Sequence, residues 1–338
     1  MRGQRMASRL LVVTLLFGLL ANISLASTAA VARQGDQLKI VFSVPGLKFP
    51  FFVHMMNIAR EKAGELNVSL IEQDGQDDSS TQSAGLESAI AQGVDGIVIS
   101  PKEVEALAPA IQAAIDAGIP VVTVDRNVTG AKTLAHVGAD NVRGGEKQGE
   151  YLMKILPDGG KIMELRGTVG ASPAIDRDSG FKSALKGHPE YEIVFDQTAS
   201  FDRATGLSVT EQALQANPDI DAIVAANDDM ALGAAEAVAG AGLDIPIIGF
   251  DALPEALQAV QSGTMAATVE QWPGRQTSGA MEILVKYLRD GTEPAQHDNY
   301  IEPTLITADN VGEAERAEEA GITPTGATPQ AAAATPAA

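Results

Sequence analysis

Beyond residue 37 the chain repeats one pattern: a short β-branched run, an amphipathic stretch of helical length, then another run. Such alternation specifies parallel strands joined by crossover helices, because parallel neighbours cannot be linked by a tight turn. The strand candidates are LKIVFSV from Leu38, NVSLIEQ from Asn67, VDGIVIS from Val94, IPVVTVD from Ile119, KIMELR from Lys161, EIVFDQ from Glu192, DAIVAAN from Asp221 and IPIIGFD from Ile245. Helical spacing fills the gaps. Phe52, Met55, Met56 and Ala59 share a face between Phe51 and Leu66, and Leu107, Ile111 and Ile115 share one between Val104 and Ala117.

The pattern is duplicated. DGIVIS at Asp95 leads to IPVVTVD ending at Asp125, and DAIVAAN at Asp221 leads to IPIIGFD ending at Asp251, over the same interval. With 338 residues the chain exceeds the roughly 250 at which single cores tend to split, so two domains of one topology are expected. Ligands of open parallel sheets bind beyond the carboxyl ends of the strands, and Ser100, Asp125, Asn227 and Asp251 stand at such ends. Each alone also suits a helix cap or a turn. Their matched placement points instead to one cleft faced from both sides.

Composition removes whole classes of partner. The formal charge of -20 repels phosphate backbones and anionic headgroups, so no nucleic-acid partner is expected. Arg2, Arg5 and Arg9 precede an apolar run from Leu10 to Leu20 and small residues ending at Ala32, the order of an export signal over 1–32. The run is shorter than the about 20 residues that span a bilayer, so a periplasmic or secreted protein is expected. Ala26 is a second candidate cleavage position. With no cysteine, disulfides, a catalytic thiol and a lipidated N-terminal cysteine are all excluded. Ala308 to Ala320 reads as a closing acidic helix, and the Pro, Thr and Ala-rich residues 321–338 read as a disordered tail.

FPFF, from Phe49 to Phe52, holds three of the nine phenylalanines. They serve equally well as core or as flat apolar faces for a pyranose or furanose ring, which carries C–H groups on one side and hydroxyls at its rim. With PFF at Pro50 stand DR at Asp125, DNVRGG at Asp140, DRDSGF at Asp176, FDRATG at Phe201, NDDMALGA at Asn227, GFD at Gly249 and AATVEQ at Ala266. Together, in this order over nearly all of 37–307, they resemble the periplasmic ribose-binding protein family, the type I sugar-binding components of ABC transporters for pentoses and hexoses.

The resemblance implies an α/β fold of two similar doubly wound parallel-sheet domains joined by a three-crossover hinge. The expected division is 37–139 with 272–300, and 140–271 with 301–320. It further implies that Phe51, Phe52 and Phe201 sandwich a small neutral sugar, that Asp125, Arg126, Arg177, Asn227, Asp251 and Gln271 bind its hydroxyls, and that a monomer delivers it to a membrane-embedded ABC permease without a cofactor. Two acids against two bases keep such a cleft nearly neutral. Arg126 could instead merely pair with a carboxylate, and Gln271 could brace the hinge. Phe49 and Ser100 stand where the ribose pattern carries asparagine, which deletes amide contacts and argues against ribose itself. A receptor for chemotaxis or for a furanose-like autoinducer would use the same surface without transport.

Enzyme motifs are missing: there is no HExxH, GxSxG or Walker A pattern, and His54, His136, His188 and His297 lack metal-ligand spacing. DGQDD at Asp74 lacks the glycine and distal glutamate of a calcium loop. Asp125 and Asp251 would suit a glycosidase pair only if one were protonated, and the flanking arginines are expected to hold both ionised.

Overall fold

The computed structural model describes residues 37–325; the segment 1–32, expected to be an export signal, and the residues from 326 onward, expected to be part of a tail, lie outside the described residues. The strands are β1 (Lys39–Val44), β2 (Ser69–Asp74), β3 (Gly96–Ile99), β4 (Val121–Val124), β5 (Ala135–Ala139), β6 (Gly160–Arg166), β7 (Tyr191–Thr198), β8 (Ala222–Ala225), β9 (Ile247–Ile248), β10 (Thr268–Glu270), β11 (Asp298–Ile301) and β12 (Thr304–Ile306). Between them run α1 (Pro50–Glu65), α2 (Ser79–Gln92), α3 (Ala108–Asp116), α4 (Asn141–Ile155), α5 (Ser172–Ala184), α6 (Arg203–Ala216), α7 (Asp228–Gly240), α8 (Pro254–Ser262) and α9 (Pro273–Asp290).

Two parallel sheets result, one ordered β11-β5-β4-β3-β1-β2 and the other β7-β6-β8-β9. Their topology is the same: each starts on a central strand, steps outward once, then returns to build the other side. Even the register repeats, with Ile97 opposite Val121 in one sheet and Ile223 opposite Ile247 in the other. The central strands are mainly apolar because helices cover both faces; β3, β4 and β8 are buried at every residue. The order reverses between β1 and β3 and between β6 and β8, and ligands of such sheets bind at these switch points.

The chain passes between the sheets three times, from β5 into α4, from β10 into α9, and from β11 to β12, which pairs antiparallel with β10. In the lobe built on β6 to β9, α4 and α5 approach backbone to backbone. A Cβ on Gly180 would run into the Val142 carbonyl, and one on Gly145 into that of Arg177. This close packing is the physical reason for the second glycine of DNVRGG and for the glycine of DRDSGF, while the first, Gly144, makes room for the Phe250 ring.

Three expectations need correction. The helix expected from Val104 begins only at Ala108, with a proline in its first turn, because Val104 N–H donates instead to the Gly170 carbonyl of the other lobe at 2.9 Å. The closing helix expected over Ala308 to Ala320 is a 3-10 turn at Val311–Glu313 followed by further turns. There the Glu315 N–H donates to the buried Glu270 carboxylate at 2.9 Å, a tertiary bond that pulls the backbone out of helix. Finally, the tail does not start at 321. Ile322 is buried with Leu257, Ile306 and Val311, and Thr325 N–H donates to Gly312 O at 2.9 Å.

No helix among the described residues is long and apolar enough to cross a membrane.

Candidate functional site

Strand β1 delivers the chain to Phe49, the N-cap of α1, and proline at the first helical position directs Phe51 and Phe52 inward from the first turn. Their rings meet edge to face, with centroids 5.2 Å apart, and Phe49 meets Phe52 at 6.2 Å. All three are buried. From the other lobe Phe201 faces them, held with positive φ just before α6.

The duplicated aspartates occupy duplicated backbone positions. Asp125 follows β4 with φ 60 and its N–H donates to Val137 O at 2.9 Å; Asp251 follows β9 with φ 109 and donates to Val269 O at 2.7 Å. Non-glycine residues in this region are strained, and such strain collects at functional sites. A positive φ at both ends of the repeat, with both aspartates lining one cleft, puts the two carboxylates in the space between the sheets.

Around them the polar groups interlock. Arg177 donates from Nε to Asn141 Oδ1 at 2.8 Å and from Nη1 to Ala226 O at 2.6 Å, lies 3.3 Å from Asp251 Oδ1, and stacks on the Phe250 ring at 3.6 Å. Gln271 Nε2 donates to Asp251 Oδ1 at 2.6 Å. Arg126 donates to Lys102 O at 2.9 Å and lies between the rings of Phe52 and Phe201, 5.2 and 5.4 Å from their centroids. Asn227 caps α7, accepting from Met230 N–H at 3.0 Å while its amide donates to Phe201 O at 3.3 Å.

One narrow cleft is lined by Phe49, Phe51, Phe52, Asp125, Arg126, Arg177, Phe201, Asn227, Asp251 and Gln271, together with Pro173 and Asp229. Ser100 is the exception among the expected residues. It does not line the cleft; its Oγ donates to Asp125 Oδ2 at 2.9 Å, and its carbonyl accepts from Gln82. Ser100 therefore orients a carboxylate. Ser100→Ala is expected to weaken ligand binding by about tenfold or less, the scale of one net hydrogen bond, as read by calorimetry. A loss of a hundredfold or more would show direct ligand contact.

Pro173 and Asp229 escaped the sequence reading. Asp229 stands in the first turn of α7, where acids are favoured whatever they face, and nothing in the spacing marks it as facing the cleft.

Burial dominates the electrostatics. It pushes the carboxyls of Asp125 and Asp251 up, Asp251 to about 7, and the guanidiniums of Arg126 and Arg177 down, in each case against the opposite charge beside them. For Asp251 the expectation that its arginine holds it fully ionised is thus corrected in the ligand-free cleft, where desolvation outweighs the Coulombic attraction; at Asp125 burial acts in the same direction.

Contacts across the mouth close the cleft. Besides Val104 to Gly170, Asn127 N–H donates to Ser172 Oγ at 2.9 Å. A larger cavity of about 470 Å³ lies between α1 and the C-terminal segment, lined by residues including Lys48, His54 and Arg316; no phenylalanine, tyrosine or tryptophan lines it, so it offers no aromatic sandwich. Glu164, Asp178 and Asp196 cluster closely enough for a metal ion, but the Lys182 ammonium stands 3.4, 2.5 and 2.9 Å from them and supplies the positive charge.

Comparison with known proteins agrees with this architecture. The model of the periplasmic binding protein domain matches residues 40–293. The ribose import binding protein RbsB of Salmonella typhimurium is 35% identical over 80% of this chain and 91% of its own length. The galactofuranose-binding protein YtfQ of Escherichia coli is 34% identical over 86% and 91%. The crystal structure of a Caulobacter myo-inositol binding protein bound to myo-inositol superposes with a TM-score of 0.81 at 37% identity, covering 86% of this chain and all of that one. Fold, cleft and relatives lead to one statement: the chain belongs to the periplasmic binding protein family.

Proposed function

We propose that this protein is an exported binding protein, not an enzyme, which captures one neutral monosaccharide or polyol between its lobes and presents it to an ABC transporter permease. The observation that carries the reading is the cleft itself. Phenylalanine rings from both lobes face each other across two matched aspartates, each with an arginine beside it. Rings cover the C–H faces of a sugar; carboxylates accept from its hydroxyls and guanidiniums donate to them.

The mechanism follows from the three crossovers. Rotation of the lobes about them opens the cleft, a sugar enters against Phe51 and Phe52, and closure brings Phe201, Arg177 and Asp251 onto its other side. The cross-mouth bonds from Val104 and Asn127 form only on closure, so the liganded shape is distinct from the empty one and can be read by a permease. The relatives' ligands, ribose, galactofuranose and myo-inositol, support an expected class of small polyhydroxylated rings. The leader at 1–32 supports a periplasmic or secreted location, and the acidic surface supports a monomer free of nucleic acid.

A thermal-shift panel tests the class. Neutral pentoses, hexoses and polyols are expected to contain the ligand, while sugar phosphates and amino acids are silent. At 100 times its dissociation constant a ligand stabilises the folded state by about 2.7 kcal/mol, which is several degrees at this size. Hits confined to phosphorylated sugars or amino acids would overturn the assignment.

A further inference from the structure

Asp229 is a buried acid with no hydrogen-bond partner among the described residues. It is the second residue of α7, lines the cleft with Asn227 and Asp251, and its side chain is only 9% exposed. Its neighbour Asp228 is also buried but satisfied, accepting from Thr268 Oγ1 at 2.7 Å and Leu253 N–H at 2.8 Å. The nearest cation to Asp229, Arg203 Nε, stands 3.8 Å away, and that guanidinium is already committed to Glu255 through two bonds of 2.8 and 2.6 Å. The helix N-terminus favours a carboxylate there by about 0.3–1 kcal/mol. Its oxygens make no hydrogen bond yet are not among the fully sealed side-chain atoms, so what they reach is the open cleft.

The rest of the cleft shows what Asp229 faces. Asn227 spends its carbonyl on Met230 and its amide on Phe201, and Gln271 spends its amide on Asp251 while its carbonyl accepts from Gln276 at 3.2 Å. Unused capacity therefore resides in Asp125 Oδ1, Asp251 Oδ2, the remaining N–H groups of Arg126 and Arg177, and both oxygens of Asp229. The cleft offers acceptors in excess, so it suits a molecule that presents mainly O–H donors.

We infer that Asp229 is a third ligand-binding carboxylate, which accepts from a pair of hydroxyls on the bound ring and selects a fully hydroxylated sugar or cyclitol over the deoxy analogue lacking one of them. This rests on the reading of the cleft as a carbohydrate site and deepens it. A carboxylate left facing a C–H group where a hydroxyl should be keeps its desolvation penalty with no compensating bond, which is why polar sites reject analogues that lack a hydroxyl more strongly than apolar sites reject ones that add it. Burial already pushes the Asp229 carboxyl up to about 6 despite the nearby Arg203, in keeping with a group that lacks a partner.

The test uses the mature protein and calorimetry with D-ribose, D-allose, D-galactose and myo-inositol, then the monodeoxy series of whichever binds most tightly. Asp229→Ala is expected to weaken that binding at least tenfold. Removal of one particular hydroxyl should cost the wild type at least tenfold and the variant less than twofold, the non-additivity that marks a direct pair. Melting of the ligand-free variant separates a structural role, since lost stability with unchanged discrimination among the deoxy sugars would overturn the inference. Binding by Asp229→Ala within twofold of wild type would overturn it while leaving the carbohydrate site standing. Failure of every neutral sugar and polyol to bind the wild type would overturn both.

Discussion

Asp251→Ala is expected to weaken ligand binding at least ~100-fold, about 2.7 kcal/mol, while the empty protein still folds. Asp251 is buried and accepts from Gln271 at 2.6 Å and from Arg177 at 3.3 Å. Truncation strips the ligand of an acceptor and leaves both donors aimed at nothing, and loss of one partner of a buried charged pair costs several kcal/mol of binding. The ligand-free fold tolerates the change because Arg177 keeps Asn141, the Ala226 carbonyl and the Phe250 ring, and because a carboxyl that burial lifts to about 7 is itself under strain in the empty cleft. Calorimetry paired with thermal melting reads both halves. Unchanged affinity with a collapsed melting temperature would make Asp251 structural.

The largest effect on stability is expected at Gly180. Its Cβ position lies 2.0 Å from the Val142 carbonyl oxygen and 3.0 Å from Glu146 N, so Gly180→Ala must force α5 away from α4 or distort both. Overpacking against backbone has no flexible side chain to absorb it, and a loss of about 3 kcal/mol or more is expected. Sugar affinity should fall with it, since α5 carries Arg177. Gly240→Ala is the control: this glycine ends α7, is exposed and has nothing within 4 Å of its Cβ position. There alanine should gain up to about 1 kcal/mol through helix propensity and a less flexible unfolded chain. Equal melting temperatures for the two variants would contradict the close packing of α4 on α5.

The buried parallel strands were legible because helices on both faces favour apolar side chains: β3 and β8 read as continuous apolar runs, and β1, β4 and β6 remain chiefly apolar around Ser43, Thr123 and Glu164. β5 was not, although it is just as buried. Its sequence AHVGA contains only one β-branched residue, and His136 is held there at 3.0 Å from Thr123 Oγ1, with burial pushing its pKa down to about 4. β10 to β12 are about as short as β3, β4 and β8, but TVE, DNYI and TLI mix polar with apolar residues and offer no apolar run to mark them. The C-terminal segment misled for a different reason. Its helical composition is overridden by the Glu270 carboxylate, which accepts from Trp272 N–H at 2.7 Å and from Glu315 N–H, a partner 45 residues away that no local pattern reveals.

At the cleft the split is similar. Residues at strand ends were found through the duplication, since equal spacing in both halves marks equivalent places in both sheets. Ser100 stands at such an end and yet turns to Asp125 rather than to the cleft, because position along a strand says nothing of which neighbour a hydroxyl chooses. Asp229 lay hidden behind Asp228: two consecutive acids opening a helix look alike in sequence, and only packing shows that one is satisfied and the other is not.

The central claim is that one neutral sugar or polyol is held between the two lobes. The most direct test is a crystal structure of the protein with the tightest ligand from the neutral panel. The account predicts a single ring between Phe51 and Phe52 on one side and Phe201 on the other, with hydroxyls on Asp125, Asp251, Arg126 and Arg177. Density for the ligand in the cavity beside His54 and Arg316, or anywhere else outside the cleft, would contradict it.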